Sequence, residues 1–357
     1  MQTIRFQKRP RALRASLTLG AWAVASALCG CAHDAKPVGS TSPSALEAPR
    51  APAAPPKPPA RDTVPEDSVE RAALPYHGLR ASDGQMLSAS ELMDELAVAD
   101  AICVGESHPN PHDHFAQLCV LRELSTRART NGRELGLGLE MFEQNAQELL
   151  DDYSSREINE RELLDRSEWR KRWGFSFSLY RPMIEVARRQ GLALLALNAP
   201  RELTRQVARH GVKGLPEQER GSLPDMDFKN AEHRQHFHDA MRQHPHGHGS
   251  SENMYAAQVL WDESMADAAA TWLAERAPAR QLVILAGRGH CVTSGIPQRM
   301  QRRGITRTLN VAPRLGGEPE PEAGGEKTHF DYALIFEVSS EKPADSETPA
   351  ASEKPVE

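Results

Sequence analysis

Short apolar runs alternate with amphipathic segments along the middle of the chain. The runs are rich in Val, Ile, Leu and Ala and predict buried strands at residues 101–105, 135–141, 192–197, 281–286, 305–311 and 331–338. The intervening segments space their apolar residues three or four apart and predict helices at residues 115–129, 146–153, 161–173, 179–190, 201–209, 254–276 and 296–303. This alternation is typical of an α/β fold, with a mostly parallel sheet flanked by helices.

Two stretches between the predicted elements are too long to be plain connections. They cover residues 143–177 and 215–253, and unstructured loops of that length are uncommon inside a domain. We therefore expect them to build a helical cap or subdomain beside the sheet.

The N-terminal segment combines basic residues with a short apolar run. Residues 15–28 are too few to span a membrane, and after several Lys and Arg residues they fit a secretory signal peptide. The run ends in Leu28-Cys29-Gly30-Cys31, which resembles the lipobox before a lipidated cysteine. The pattern predicts a signal peptide over residues 1–31 and acylation of Cys31, with palmitate as a typical acyl chain. Ordinary secretion and a retained anchor are the alternatives.

The residue after Cys31 and the composition of the two ends extend this interpretation. Ala32, in place of an aspartate, favours an outer-membrane location in the cell envelope. Residues 32–75 are rich in Pro, Ala and charge, and residues 339–357 are similarly polar. Such segments bury too little apolar surface to fold, so we expect a disordered tether and a disordered tail. The folded domain is then predicted at residues 76–338.

Net charge and cysteine count bear on nucleic-acid binding and on disulfide bonds. The net charge of −6 and the pI near 6.2 give no basic stripe, so we expect no nucleic-acid partner. Cys103, Cys119 and Cys291 remain for the domain, and an odd number is not a disulfide framework. The apolar surroundings of Cys103 and Cys119 favour buried core residues, although one disulfide stays possible.

Polar residues with useful chemistry follow four of the predicted strands. In a parallel sheet the carboxyl ends share one edge, where ligands bind. These residues are Glu106, Ser107, His108, Glu140, Asn198, Arg288 and His290. Two imidazoles and two carboxylates could bind a divalent metal or perform acid–base catalysis. The alternative is that the carboxylates cap helices and the histidines pack loops.

Six motifs in one order carry a resemblance to a known family. They are Gly105-Glu106-Ser107-His108, Glu140-Met141-Phe142, Tyr180-Arg181-Pro182 after Trp173, Leu197-Asn198-Ala199-Pro200, the segment from Ala257 to Ala266, and Gly287-x-x-His290 with Gly295-Ile296-Pro297. Together they resemble the ChaN family of haem-binding lipoproteins. The wider group is similar to erythromycin esterases and to the Tiki and TraB proteins.

The resemblance implies a haem-binding surface lipoprotein in haem or iron uptake or storage. It also implies a tyrosine ligand to the haem iron and a homodimer that holds two haems face to face. Tyr180 and Tyr255 are the candidates for that ligand, with Tyr153 as a weaker one. His108 and His290 are further candidates for contact with the haem.

A metal-dependent hydrolase that uses the same cleft is the alternative function. Its catalytic or metal-binding residues would be Glu106, His108, Glu140 and His290. No Gly-x-Ser-x-Gly motif occurs, so a serine hydrolase is not supported. A vestigial site is the third hypothesis.

Two helical segments offer additional candidates. Gln258 and Asp262 lie four residues apart on one helical stripe and could point into the cleft. Residues 233–248 contain six histidines, which could contact metal, haem iron or propionates, or form a solvated loop. They are His233, His236, His238, His244, His246 and His248.

Overall fold

The described part of the chain is built around one eight-stranded sheet. A computed structural model describes residues 75–243, 250–275, 280–317 and 329–337, all within the unit Pro65–Glu357. The strands are β1 (Tyr76–Arg80), β2 (Gln85–Ser88), β3 (Ala101–Glu106), β4 (Glu134–Glu143), β5 (Ala193–Asn198), β6 (Arg280–Gly287), β7 (Thr308–Leu315) and β8 (Tyr332–Phe336). Their order is β2-β1-β8-β7-β3-β6-β4-β5. The pairs from β8 to β5 are all parallel, whereas β1 is antiparallel to both of its neighbours.

Helices connect the parallel strands and pack on the sheet. In the described ranges they are α1 (Ala89–Ala97), α2 (Pro111–Thr130), α3 (Gln147–Ser154), α4 (Glu160–Arg166), α5 (Trp169–Arg172), α6 (Arg181–Gln190), α7 (Arg201–His210), α8 (Glu217–Gly221), α9 (Ala231–Gln243), α10 (Ser251–Ala274) and α11 (Ile296–Arg302). The predicted α/β class, with a mostly parallel sheet flanked by helices, is confirmed. None of these helices is long and apolar enough to cross a membrane.

The core lies on both faces of the sheet because the central strands β3, β4 and β6 bury side chains on both faces. Leu121 of α2 and Leu137 of β4 belong to one buried cluster. Met265 of α10 and Ile284 of β6 belong to another. Burial on both faces explains why the strands are continuous apolar runs without alternating polar residues.

The sequence pattern missed the first elements and misplaced some boundaries. Strand β2 buries only Leu87, so its apolar signal is weak. The predicted helix at residues 161–173 is two helices, because Glu168 adopts a left-handed conformation with φ 51° between α4 and α5. The predicted strand at residues 305–311 begins at Thr308 and extends to Leu315.

The stretch expected to form a cap consists of several short helices. Residues 143–177 contain α3, α4 and α5, and the second long stretch contains α8 and α9. Residues 244–249 lie outside the described ranges, and so do the predicted signal peptide, nearly all of the tether and the C-terminal tail. Those interpretations therefore remain predictions, as do the domain boundaries.

Cys103 and Cys291 form a disulfide bond across 188 residues of sequence. Cys103 lies in β3, and Cys291 follows His290 in the loop between β6 and α11. Cys103 is buried as expected, but its sulfur has a bonded partner that the sequence pattern did not identify. Among the described residues, Cys119 on α2 is a free thiol and is half-buried.

Candidate functional site

The carboxyl ends of four adjacent strands bring the polar residues together. Glu106 ends β3, Asn198 ends β5, and His290 lies three residues beyond the end of β6. Glu140 lies near the carboxyl end of β4, three residues before the strand ends. Since β3, β6, β4 and β5 are neighbours in the sheet, these side chains meet at one edge.

Glu106 is an internal hydrogen-bond acceptor beneath the site. Its Oε1 accepts from the Tyr180 hydroxyl at 2.7 Å and from His108 Nδ1 at 2.8 Å. Its Oε2 accepts from Gln117 Nε2 at 2.7 Å, and His114 Nδ1 lies 3.5 Å away. The carboxylate is thus held in place by groups from α2 and the start of α6. A buried charge requires such donors.

His108 is the most accessible imidazole of the site. Its side chain is 29% exposed, and its ring packs edge-on against Trp173 and beside Phe175, with centroids 4.8 and 4.9 Å away. Burial lowers the pKa of His108, but the hydrogen bond to Glu106 and the charge of Glu140 outweigh it and raise the pKa above its ordinary value.

Gly287 allows His108 and Glu140 to approach the end of β6. A Cβ at this position would lie 3.0 Å from His108 Cε1, so the imidazole would have to shift to accommodate a side chain there. The Gly287 amide donates to Glu140 Oε2 at 2.6 Å. Glu140 Oε1 lies 3.5 Å from His290 Nε2, so this carboxylate stands between the two imidazoles.

A buried chain of hydrogen bonds supports His290 from behind. His290 Nδ1 is bonded to Asp262 Oδ1, and Asp262 Oδ2 accepts from His233 Nε2 at 2.7 Å. His233 Nδ1 in turn faces the Tyr255 hydroxyl at 3.1 Å and Arg299 Nη2 at 3.2 Å. The Arg299 guanidinium can only donate, so His233 Nδ1 accepts from it and His233 Nε2–H donates to Asp262.

The charges around His290 and Asp262 determine their protonation. Burial alone would lower the pKa of His290, but the charges of Glu140 and Asp262 raise it to about 9. Burial would raise the pKa of Asp262, but His290 and the hydrogen bond from His233 hold it well below its usual range. His290 is therefore a cation at neutral pH, between two carboxylates.

An open cleft lies over these residues, with a volume of about 320 Å³. Its walls include His108, Glu140, Trp173, Arg201, Trp261 and His290. The cleft is thus lined by aromatic surface, two imidazoles and the guanidinium of Arg201. The sequence pattern did not identify Trp173, Trp261 or Arg201 as residues of the cleft.

The candidate tyrosines lie away from the cleft surface. Tyr180 and Tyr255 are fully buried, and their hydroxyls are bonded to Glu106 and His233. Burial, and then the charge of Glu106, raise the pKa of Tyr180 far above its usual range. Tyr153 is also buried and donates to Glu185 at 2.5 Å.

The other predicted site residues lie either behind His290 or in the histidine-rich segment. Asp262 is buried behind His290, and Gln258 Nε2 lies 3.1 Å from His290 Nδ1. His236 packs against His329, with ring centroids 5.0 Å apart, and His238 stacks on Tyr255. His244, His246 and His248 lie outside the described ranges.

The strand-end residues do not form a metal site in the described part of the chain. No group of three or more His, Cys, Asp and Glu residues there is arranged to hold a metal ion. The physical reason is that Glu106 directs its oxygens toward Tyr180, Gln117 and His108 Nδ1. The predicted metal set of Glu106, His108, Glu140 and His290 is therefore not assembled.

Comparison with known proteins identifies the family. The family model described as "Haem-binding uptake, Tiki superfamily, ChaN" matches residues 92–300, which is more than half of the chain. The chain belongs to the ChaN family. The match to this ChaN family model covers all of the strand-end residues described above, and the predicted resemblance is confirmed.

A solved structure with the family's name shows the same fold. A Campylobacter jejuni structure described as "Cofacial heme binding to ChaN" is 20% identical, with a TM-score of 0.58, and covers 73% of this chain and 97% of that chain. Erythromycin esterase EreC is 14% identical over 73% of this chain and 82% of that chain, with a TM-score of 0.41.

A curated relative matches a shorter segment. The Arabidopsis thaliana protein RETICULATA-RELATED 5, chloroplastic, is 30% identical over 131 residues, or 36% of this ChaN chain. The matched segment covers only 17% of the length of that relative.

Proposed function

We propose that this ChaN family member binds haem in the strand-end cleft. The observation that carries the proposal is the combination of two indoles, Trp173 and Trp261, with two imidazoles and Arg201 around one opening. A haem site needs apolar contact surface, a ligand for the iron and cationic donors for the propionates. The cleft supplies each of these residue types, and the family is one of haem-binding proteins.

The size of the cleft favours a haem that is only partly enclosed. Its volume of about 320 Å³ is at the lower end of the range of about 300–1,000 Å³ for small-molecule sites. We infer that a second copy of the chain covers the exposed part of the haem. The cofacial haem binding described for Campylobacter jejuni ChaN supports such a homodimer.

We further propose that the chain is a lipoprotein of the cell envelope that takes part in haem or iron uptake or storage. The lipobox-like sequence before Cys31 supports the anchor. The disulfide between Cys103 and Cys291 supports an oxidising compartment, because such bonds are rare in the cytosol. With Ala32 after the cysteine, the outer membrane is the favoured location.

Arg201→Glu should weaken haem binding about tenfold, which corresponds to about 1.4 kcal/mol. Arg201 lines the cleft, so a negative charge there would repel the propionates. The matched control is Arg205→Glu, because Arg205 is exposed on the same helix and outside the cleft. Absorbance titration of both variants measures the effect, and equal affinities would argue against haem in this cleft.

Cys31→Ser should release the chain from the membrane fraction. The substitution removes the thiol that would be acylated. The control Cys29→Ala should leave anchoring intact, since alanine is usual at that lipobox position. Cell fractionation followed by immunoblotting distinguishes the two variants. If Cys31→Ser remains with the membrane, the lipid anchor is not at Cys31.

A further inference from the structure

The tyrosines of this chain are engaged elsewhere in the fold. All five lie in the described ranges. Four of the hydroxyls are within hydrogen-bond distance of a side chain. The pairs are Tyr153 with Glu185, Tyr180 with Glu106, Tyr255 with His233, and Tyr332 with Glu95. Tyr76 lies on β1 with its ring against Phe336. No tyrosine is among the described residues that line the cleft.

The two histidines of the cleft differ in whether one ring nitrogen remains available to bind a ligand. Both ring nitrogens of His290 face carboxylates, with Nδ1 on Asp262 and Nε2 3.5 Å from Glu140. His108 Nδ1 donates to Glu106, and its Nε2 has no hydrogen-bond partner in the described part of the chain. His108 therefore keeps the nitrogen that an iron atom would require.

The surroundings of His108 fix both its tautomer and its ring. Glu106 cannot turn away, because Tyr180 and Gln117 hold its two oxygens. Trp173 and Phe175 restrict rotation of the imidazole. Metal-ligating histidines commonly donate their other ring N–H to a carboxylate in this way.

We propose that His108 Nε2, and not a tyrosine hydroxyl, ligates the haem iron in this chain. The inference rests on the proposed haem function. Glu106 orients the imidazole and increases its basicity as a ligand, and Tyr180 is a positioning residue that acts through Glu106. The fold thus uses the buried tyrosine to hold the carboxylate behind the ligand.

The test compares variants of the untagged chain loaded with ferric haem. His108→Gly should lose at least about tenfold in haem affinity and change its absorbance spectrum, and added imidazole should restore the spectrum. Tyr180→Phe should keep the spectrum of the unaltered complex, because its hydroxyl is not the ligand. It should lower the affinity less than His108→Gly does, because it removes only one hydrogen bond to Glu106. His112→Gly is the matched control, because His112 is exposed near the start of α2. Circular dichroism establishes that each variant is folded.

Resonance Raman spectra of the unaltered chain provide a readout that does not depend on folding of a variant. An iron–histidine stretching band in the ferrous complex is expected. Tyrosinate bands in the ferric complex, or a spectrum unchanged in His108→Gly, would overturn the assignment. If the unaltered chain binds no haem, the proposed function itself fails, so the two failures are distinguishable.

Discussion

Asp262→Asn should lower the free energy of unfolding by about 3–5 kcal/mol. The Asp262 carboxylate is fully buried and accepts hydrogen bonds from His233 and His290. An amide keeps the shape but cannot accept from both imidazoles or neutralise the cationic His290. Removing one partner of a buried pair leaves an uncompensated charge, which accounts for the large cost. Urea denaturation of the two proteins measures the difference.

The control for this substitution lies on the same helix. Asp267 is exposed on α10 and pairs with Arg303. Exposed ion pairs contribute about 0–1 kcal/mol, so Asp267→Asn should change stability little. If Asp262→Asn were as mild as Asp267→Asn, the buried chain from His233 to His290 would not stabilise the fold.

The same substitution should change how stability depends on pH. The pKa of His290 is raised from 6.5 to about 9 in the folded chain, chiefly by Glu140 and Asp262 against burial. A raised pKa contributes stability that is complete below about 6.5 and is lost as the pH rises through about 9. The unaltered chain should therefore lose stability across this interval. Asp262→Asn should show a shallower decline.

Replacing both Cys103 and Cys291 by serine should lower the free energy of unfolding by about 2–5 kcal/mol. Their bond closes a loop across 188 residues, and loop closure restricts the unfolded chain more when the loop is long. The bond also ties the residue after His290 to β3. We expect the double variant to unfold at lower temperature and to bind haem more weakly.

A reductant and a second variant serve as controls for the disulfide. The melting temperature of the unaltered chain should fall toward that of the double variant in dithiothreitol. Cys119→Ser should melt close to the unaltered chain, because Cys119 is a free thiol. Equal melting temperatures for the unaltered chain and the double variant would show that the bond does not stabilise the domain.

The position of the site follows from patterns that the sequence contains. The buried strands predict a parallel sheet, and a parallel sheet places Glu106, Glu140 and His290 at one edge. The α/β class and the family could therefore be predicted from the residues alone. The pairing of Cys103 with Cys291 could not, since three cysteines allow several pairings.

The contacts behind the cleft depend on helix packing, which local patterns do not encode. Gln117 and His233 reach Glu106 and Asp262 only because α2 and α9 pack at particular positions. For Gln117, the available signal was a glutamine among the leucines of α2. The direction of the Tyr180 hydroxyl had no signal in the sequence, because a tyrosine pattern does not distinguish a buried ring from an exposed one.

Titration of the purified chain with ferric haem, followed in the Soret region, tests whether the strand-end cleft binds haem. We expect a saturable Soret shift at one haem per chain, with weaker binding by Arg201→Glu and unchanged binding by Arg205→Glu. A shift that does not saturate, or that matches the shift given by an unrelated control protein, would contradict haem binding in the strand-end cleft.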